Sequence, residues 1–142
     1  MFPNGVQKSR KDKLMEALMT WEEMKDRYQK GEDSFELTIE KWTRIKSFLN
    51  EAIGLSDFKK MLEGAVIPVP FCLQYQVNNC YQCPLEGICG RGKGEKFSKI
   101  IRIIQAYSLA GDMLPKSILL VQVENFILEL EMCRAKDKGL IH

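Results

Sequence analysis

Histidine is almost absent: the 142 residues hold one, His142, at the last position. That scarcity removes most protein-only acid–base and nucleophilic chemistry, because no Cys/His pair, Ser/His/Asp set or Glu-x-x-His di-iron motif can be assembled. Carboxylate pairs such as Glu36/Glu40 and Glu129/Asp26 exist on paper, but paired carboxylates on helices mostly face solvent. No catalytic residue is assigned, and a non-enzymatic role is expected. Long apolar runs are also missing. No stretch approaches the ~20 consecutive apolar residues that cross a bilayer, so no membrane partner is expected. Excess charge is missing as well. Lys+Arg number 21 and Asp+Glu 19, a formal net charge of +2, which is too small by itself to mark a nucleic-acid binder. Met1–Arg10 contains no apolar run, so no signal peptide is expected there and a cytoplasmic, intracellular location is the default.

What the chain does have is a concentration of cysteine. Four of its five cysteines, Cys72, Cys80, Cys83 and Cys89, fall within eighteen residues at the spacing C-x7-C-x2-C-x5-C. Such a set can form two disulfides, a four-thiolate zinc site or the ligands of an iron–sulfur cluster. Disulfides need an oxidising compartment and would leave Cys133 over. Zinc and iron–sulfur are harder to separate. Structural zinc sites often use two tight pairs, and here only Cys80-x-x-Cys83 is tight. The flanking Cys72 and Cys89 suit a wider cubane, but single-pair zinc sites exist, and both metals stay open.

The loop resembles the iron–sulfur loop of endonuclease III-type DNA glycosylases, whose pattern is C-x6-C-x2-C-x5-C, often with Cys-Pro-Leu at the third cysteine. Cys83-Pro84-Leu85 and the last two gaps match, and the first gap is one residue longer. The resemblance implies that Cys72, Cys80, Cys83 and Cys89 ligate a [4Fe–4S] cluster, with Zn2+ as the alternative. It covers eighteen residues, and 53 residues follow Cys89, whereas the glycosylase loop lies near the chain end. The family's helix–hairpin–helix turn and its catalytic lysine and aspartate have no counterpart in residues 1–71, so glycosylase activity is not carried over. A looser similarity is to small microbial proteins in which a helix bearing Glu-Lys-Trp, here Glu40-Lys41-Trp42, precedes a Cys-x-x-Cys-Pro loop. That likeness implies a metal and no reaction.

The remainder reads as helices. Residues 10–30 place Leu14, Leu18, Trp21 and Tyr28 at helical spacing, with Met24 beside them and Gly31 as a stop. Asp33-Ser34-Phe35-Glu36 reads as an N-cap followed by its acidic partner. The helix it opens carries the stripe Phe35, Ile39, Trp42, Ile45 or Lys46, Leu49 and Ile53, and ends at Gly54. A short helix capped by Ser56 or Asp57 runs to Gly64, with Phe58, Met61 and Leu62 inward. Pro68 and Pro70 make residues 65–71 an extended connector into Cys72. Val69, Phe71, Tyr75, Leu85 and Ile88 are candidates for an apolar wall around the metal.

Residues 95–110 form another helix, with Phe97, Ile100, Ile101 and Ile104 inward. Residues 116–135 form the most apolar helix, expected to be buried or to lie in a dimer interface. Cys133 falls on its stripe Leu119, Val123, Phe126 and Leu130 and reads as an inert core thiol. The expected fold is all-α, about five helices in a compact bundle with an inserted four-cysteine metal loop. Residues 1–9 are a tail, 10–137 one domain with the loop at 72–89, and 138–142 a frayed end.

Positive charge gathers directly after the loop. Arg91, Lys93, Lys96, Lys99 and Arg102 stand against the single acid Glu95 across residues 90–102. The glycines Gly90, Gly92 and Gly94 do not make a phosphate loop: Glu95 occupies the third position of G-x-G-x-x-G, and Lys93 is followed by Gly94 rather than Ser or Thr. Two readings fit the basic run. It can compensate the site, since four thiolates around Zn2+ or an oxidised cluster carry a formal charge of about −2. It can also face DNA or RNA. The leading expectation is a metal-stabilised nucleic-acid-binding or assembly protein. The alternative is an iron–sulfur redox-sensing or protein-interaction subunit that self-associates through residues 116–135.

Overall fold

A capping threonine opens the described part of the chain. The structure, a computed structural model, describes residues 18–52, 54–75, 83–85 and 96–139. Helix α1 spans Trp21–Gln29, and the Thr20 hydroxyl accepts the Glu23 amide at 3.1 Å. Glu22 and Glu23 in the first turn add charge that favours the positive helix end. The sequence pattern placed the start near residue 10. Leu18, Met19 and Thr20 are not helical, because the threonine side chain satisfies an amide that a longer helix would have bonded internally. Residues 10–17, with Leu14, lie outside the described residues. Gly31, at φ +91°, turns the chain out of α1.

Helix α2, Ser34–Glu51, is the centre of the molecule. Asp33 accepts the Glu36 amide at 2.9 Å, as the sequence predicted. Its buried face is broader than the expected stripe and includes Phe35, Leu37, Trp42, Ile45, Phe48 and Leu49. The reason is that α2 packs on two sides. It lies along α6, Lys116–Asp137, and also against α3, Leu55–Ala65. Trp42 sits 4.6 Å from the Phe126 ring of α6, and the contact is buried on both sides.

Gly54 does not end α2. The helix stops at Glu51, with Ala52 extended as its cap. The carbonyls of Asn50 and Ala52 accept Lys116 Nζ at 3.1 and 3.0 Å, a cation where the helix dipole is negative. Gly54 instead caps α3, and its amide donates to the Asp57 carboxylate at 3.3 Å. Asp57 therefore acts from the first turn and not as the cap itself. Phe58 and Met61 of α3 are buried, and Leu62 is half-buried.

The proline segment is extended only as far as Val69. Pro70 begins α4, Pro70–Tyr75, since its fixed φ suits a first helical turn and its missing N–H has no partner to lose there. Helix α5, Lys96–Ala110, buries Ile100, Ile104, Tyr107 and Ser108 and packs along α3. A short 3-10 turn, Gly111–Met113, leads to α6. It is pinned by the Tyr107 hydroxyl donating to the Pro115 carbonyl at 2.6 Å.

The architecture is all-α: six α-helices and no strand among the described residues. Helix α6 divides its apolar residues between two faces. Leu119, Val123, Phe126 and Leu130 face the core, but Ile118, Val121, Leu128 and Met132 are 51–56% exposed. Among the described residues its main neighbours are α2 and α5, and these two leave one face of the helix open. Among the described residues no helix is long and apolar enough to cross a membrane.

Candidate metal centre

Two buried side chains, Phe71 before Cys72 and Leu85 after Cys83, seat the described parts of the cysteine segment on the core. Phe71 packs edge-on against Phe35 of α2 with centroids 4.7 Å apart, and this seats the first turn of α4 on the core. Cys72 is the next residue in that turn, its amide donating to the Val69 carbonyl at 2.9 Å. Beyond the helix, Leu85 is buried beside the Cys83-Pro84 turn. Cys72 and Cys83 are both half-buried and both pack against the hydrophobic core. Val69, Phe71 and Leu85, three of the expected apolar wall residues, are buried. Cys80, Cys89, Ile88 and the Tyr75 side chain lie outside what is described. Among the described residues no three His, Cys, Asp or Glu side chains gather as a metal site, two of the four proposed ligands being described.

Cys72 and Cys83 pack against the same core that holds Val69, Phe71 and Leu85, and an apolar surround of this kind fits a thiolate-bound metal. A buried cation holds the connector. Lys41 of α2, 2% exposed, donates from Nζ to the Ala65 carbonyl at 2.8 Å and the Ile67 carbonyl at 2.7 Å. It thereby holds the connector that leads to Cys72. Burial pushes its ammonium down to about 7, and the charge of Cys72 pulls it back up. Sequence reading passed over Lys41 as part of Glu-Lys-Trp. The available signal was a second stripe of one helical face, Thr38, Lys41, Ile45 and Phe48, all buried. Cys133 is half-buried at the end of the α6 core stripe, and burial raises its thiol above the usual range with Glu129 adding to the effect. That makes it a poor nucleophile.

The basic residues divide. Arg91 and Lys93 lie outside the described residues. Lys96, Lys99 and Arg102 are exposed on α5 at steps of three, so each is displaced by about 60° from the last around the helix. Lys96 is committed to Glu129 of α6 at 2.7 Å. No carboxylate among the described residues lies within ion-pair reach of Lys99 or Arg102. A groove of ≈ 180 Å³ runs between α5 and α6, lined by Lys96, Lys99, Gln122, Asn125 and Glu129 together with the Ile100 and Phe126 side chains.

The carboxylate pairs available on paper are not formed as pairs. Glu40 is held by Arg27 and Arg44, Asp26 by Lys30 and Glu129 by Lys96. Glu40, Asp26 and Glu129 are therefore partners to cations, and Glu36 is exposed on α2. Compared with protein-family models, curated proteins and solved structures, the chain matches none.

Proposed function

We propose that the chain is a metal-stabilised nucleic-acid-binding protein in which the cysteine segment, fastened by a metal, presents the start of α5 as a basic surface. The observation that carries this reading is the exposure of Lys99 and Arg102, with no carboxylate partner among the described residues, on the helix that follows the cysteine segment. Cys72, Cys80, Cys83 and Cys89 are the ligands in this reading. The group they hold is a [4Fe–4S] cluster or Zn2+, and its contribution is to close the loop into one shape. Arg91, Lys93, Lys96, Lys99 and Arg102 then meet phosphates, and the groove beside Lys99 and Asn125 offers polar donors next to them.

Metal analysis and binding test the two halves separately. Protein purified without oxygen is expected to contain about four irons per chain with a broad band near ~400 nm, or one zinc and no colour. Neither metal removes the centre. Binding to a labelled oligonucleotide is expected at ~50 mM salt and to weaken steeply by ~200 mM. Absence of binding at the lower salt, or binding unchanged after neutralising all five basic residues, ends the nucleic-acid reading.

A second reading is favoured by one face of α6. Ile118, Val121, Leu128 and Met132, all half or more exposed, follow the three-and-four spacing of a coiled-coil seam with Asn125 between them, and an Asn at such a position commonly sets register. In this reading a second copy of the chain covers the face, and the cysteine centre serves as a redox sensor or interaction module. A strict monomer by light scattering at high concentration removes it. A dimer that Leu128→Glu dissociates supports it.

A further inference from the structure

We propose that two copies of the chain pair through α6 in a parallel, in-register arrangement, so that the acidic flank of one copy's helix lies against the basic α5–α6 groove of the other. This rests on the reading of α6 as a self-association face and deepens it, by naming how the partner is seated and which charges hold it. Ile118, Val121, Leu128 and Met132 are 51–56% exposed, and Asn125 between them is exposed as well. Their steps of three, four, three and four residues put all five in one stripe. The helix that carries the stripe is already held by α2 and α5, so pairing does not have to form it. The two flanks of the stripe differ in charge. On one side stand Glu124, 3.3 Å from Lys46 of α2, and the exposed Glu131. On the other side lies the groove, where Lys96 and Lys99 of α5 stand beside Gln122 and Glu129, with the exposed Lys136 further along α6.

These flanks are complementary only one way round. A parallel pair sets the first flank of one helix against the second flank of the other. Glu131 then faces the partner's Lys136, and Glu124 faces the partner's groove beside Glu129. In that groove Lys96 is bound to Glu129 at 2.7 Å, and Lys99 has no ion pair among the described residues. Two lysines therefore stand against two carboxylates. An antiparallel pair sets like against like, acid flank to acid flank and groove to groove, which is unfavourable. Asn125 points the same way. A parallel pair brings it to the partner's Asn125, where the two amides can bond each other. An antiparallel pair leaves it opposite an apolar residue, with a covered amide unsatisfied. In the nucleic-acid reading Lys99 meets phosphate, so an oligonucleotide and the partner's Glu124 compete for it.

Charge complementation on the full chain, read by light scattering at high protein concentration, tests the arrangement. Wild type is expected to be a dimer, and Ile118→Glu, Ile118→Lys and Leu128→Lys each a monomer alone. An equimolar mixture of Ile118→Glu and Ile118→Lys is expected to restore the dimer, because a parallel pair brings position 118 against itself. A mixture of Ile118→Glu and Leu128→Lys is expected to stay monomeric. The reverse pattern means an antiparallel pair: it overturns the proposal and leaves the self-association face standing. No association in either mixture also overturns the proposal. A wild-type monomer, or single variants that stay dimeric, overturns both. Circular dichroism checks that each variant is folded, and if those at Ile118 are not, the same two charges are placed at Met132, which also meets itself. Lys99→Glu is expected to weaken the wild-type dimer roughly tenfold, since the two-fold repeats the contact, and Glu124→Lys added to it is expected to recover most of the loss. A dimer unchanged by Lys99→Glu overturns the seating of the acidic flank in the groove.

Discussion

Arg27 grips Glu40 with both terminal nitrogens, Nη1 at 2.6 Å and Nη2 at 2.9 Å, and so ties α1 to α2. The same guanidinium holds Glu32 at 2.7 and 2.8 Å, and Arg44 meets both Glu23 and Glu40. The hydrogen bond from Arg27 holds the Glu40 carboxyl below the usual range. A depressed carboxyl stabilises the fold above the unfolded value of roughly 4.3, and that contribution disappears as pH falls through the lower folded value. Glu40→Gln is expected to cost about 1 kcal/mol at neutral pH, since the pair is bidentate but partly exposed. Urea unfolding at neutral pH and near pH 3 checks it. The gap between wild type and variant should narrow in acid, and a gap of the same size at both values removes the ion pair as its source.

Trp42 is the largest fully buried side chain and meets Phe126 and Phe97 at 4.6 and 6.4 Å. Trp42→Ala is expected to cost about 3–5 kcal/mol through the cavity it leaves, and Trp42→Phe less. Thermal unfolding followed by circular dichroism measures both. Equal loss for the two substitutions would contradict a cavity origin.

Gly111 lies at φ +58°, and a Cβ built there would stand 2.8 Å from Leu55 Cδ2. Leu55 is 46% exposed, so its side chain can swing away, and the backbone conformation carries most of the penalty. Gly111→Ala is expected to cost about 1–2 kcal/mol. Adding Leu55→Ala should recover only the smaller share. Full recovery would place the cost in the contact and not in the backbone.

The fold was legible where its causes are local. Asp33 and the Glu36 amide it accepts are three residues apart, and the core stripe of α6 repeats within single turns, so sequence spacing alone locates both. Features set by distant partners were not legible. Lys116 closes the end of α2 from 66 residues away in the chain, and no local pattern announces that. Lys41 carries a residue type that normally faces water, and its burial follows from α3 and the connector crossing above it. The spacing of α6 leaves bundle core and dimer interface as alternatives, because hydrophobicity calls for burial without saying how many neighbours exist to provide it. The cysteine set stood out in the sequence through its spacing.

The ion pair between Lys96 and Glu129, at 2.7 Å, ranks the basic residues of α5 against one another. Lys96 must leave Glu129 before it can meet a phosphate, whereas Lys99 and Arg102 have no such competitor among the described residues. Lys99→Gln and Arg102→Gln are each expected to weaken oligonucleotide binding and to reduce the salt slope by about 1. Lys96→Gln is expected to do less. Glu129→Gln is expected to tighten binding, because it releases Lys96 and removes a negative charge from the groove wall. Fluorescence anisotropy with a labelled oligonucleotide between ~50 and ~200 mM salt reads all four variants. Equal losses for the three basic residues, with no gain from Glu129→Gln, would remove the ranking, and no loss from any of them would mean that phosphates do not meet this face of α5. The positive charge there would then be compensation for the thiolates alone.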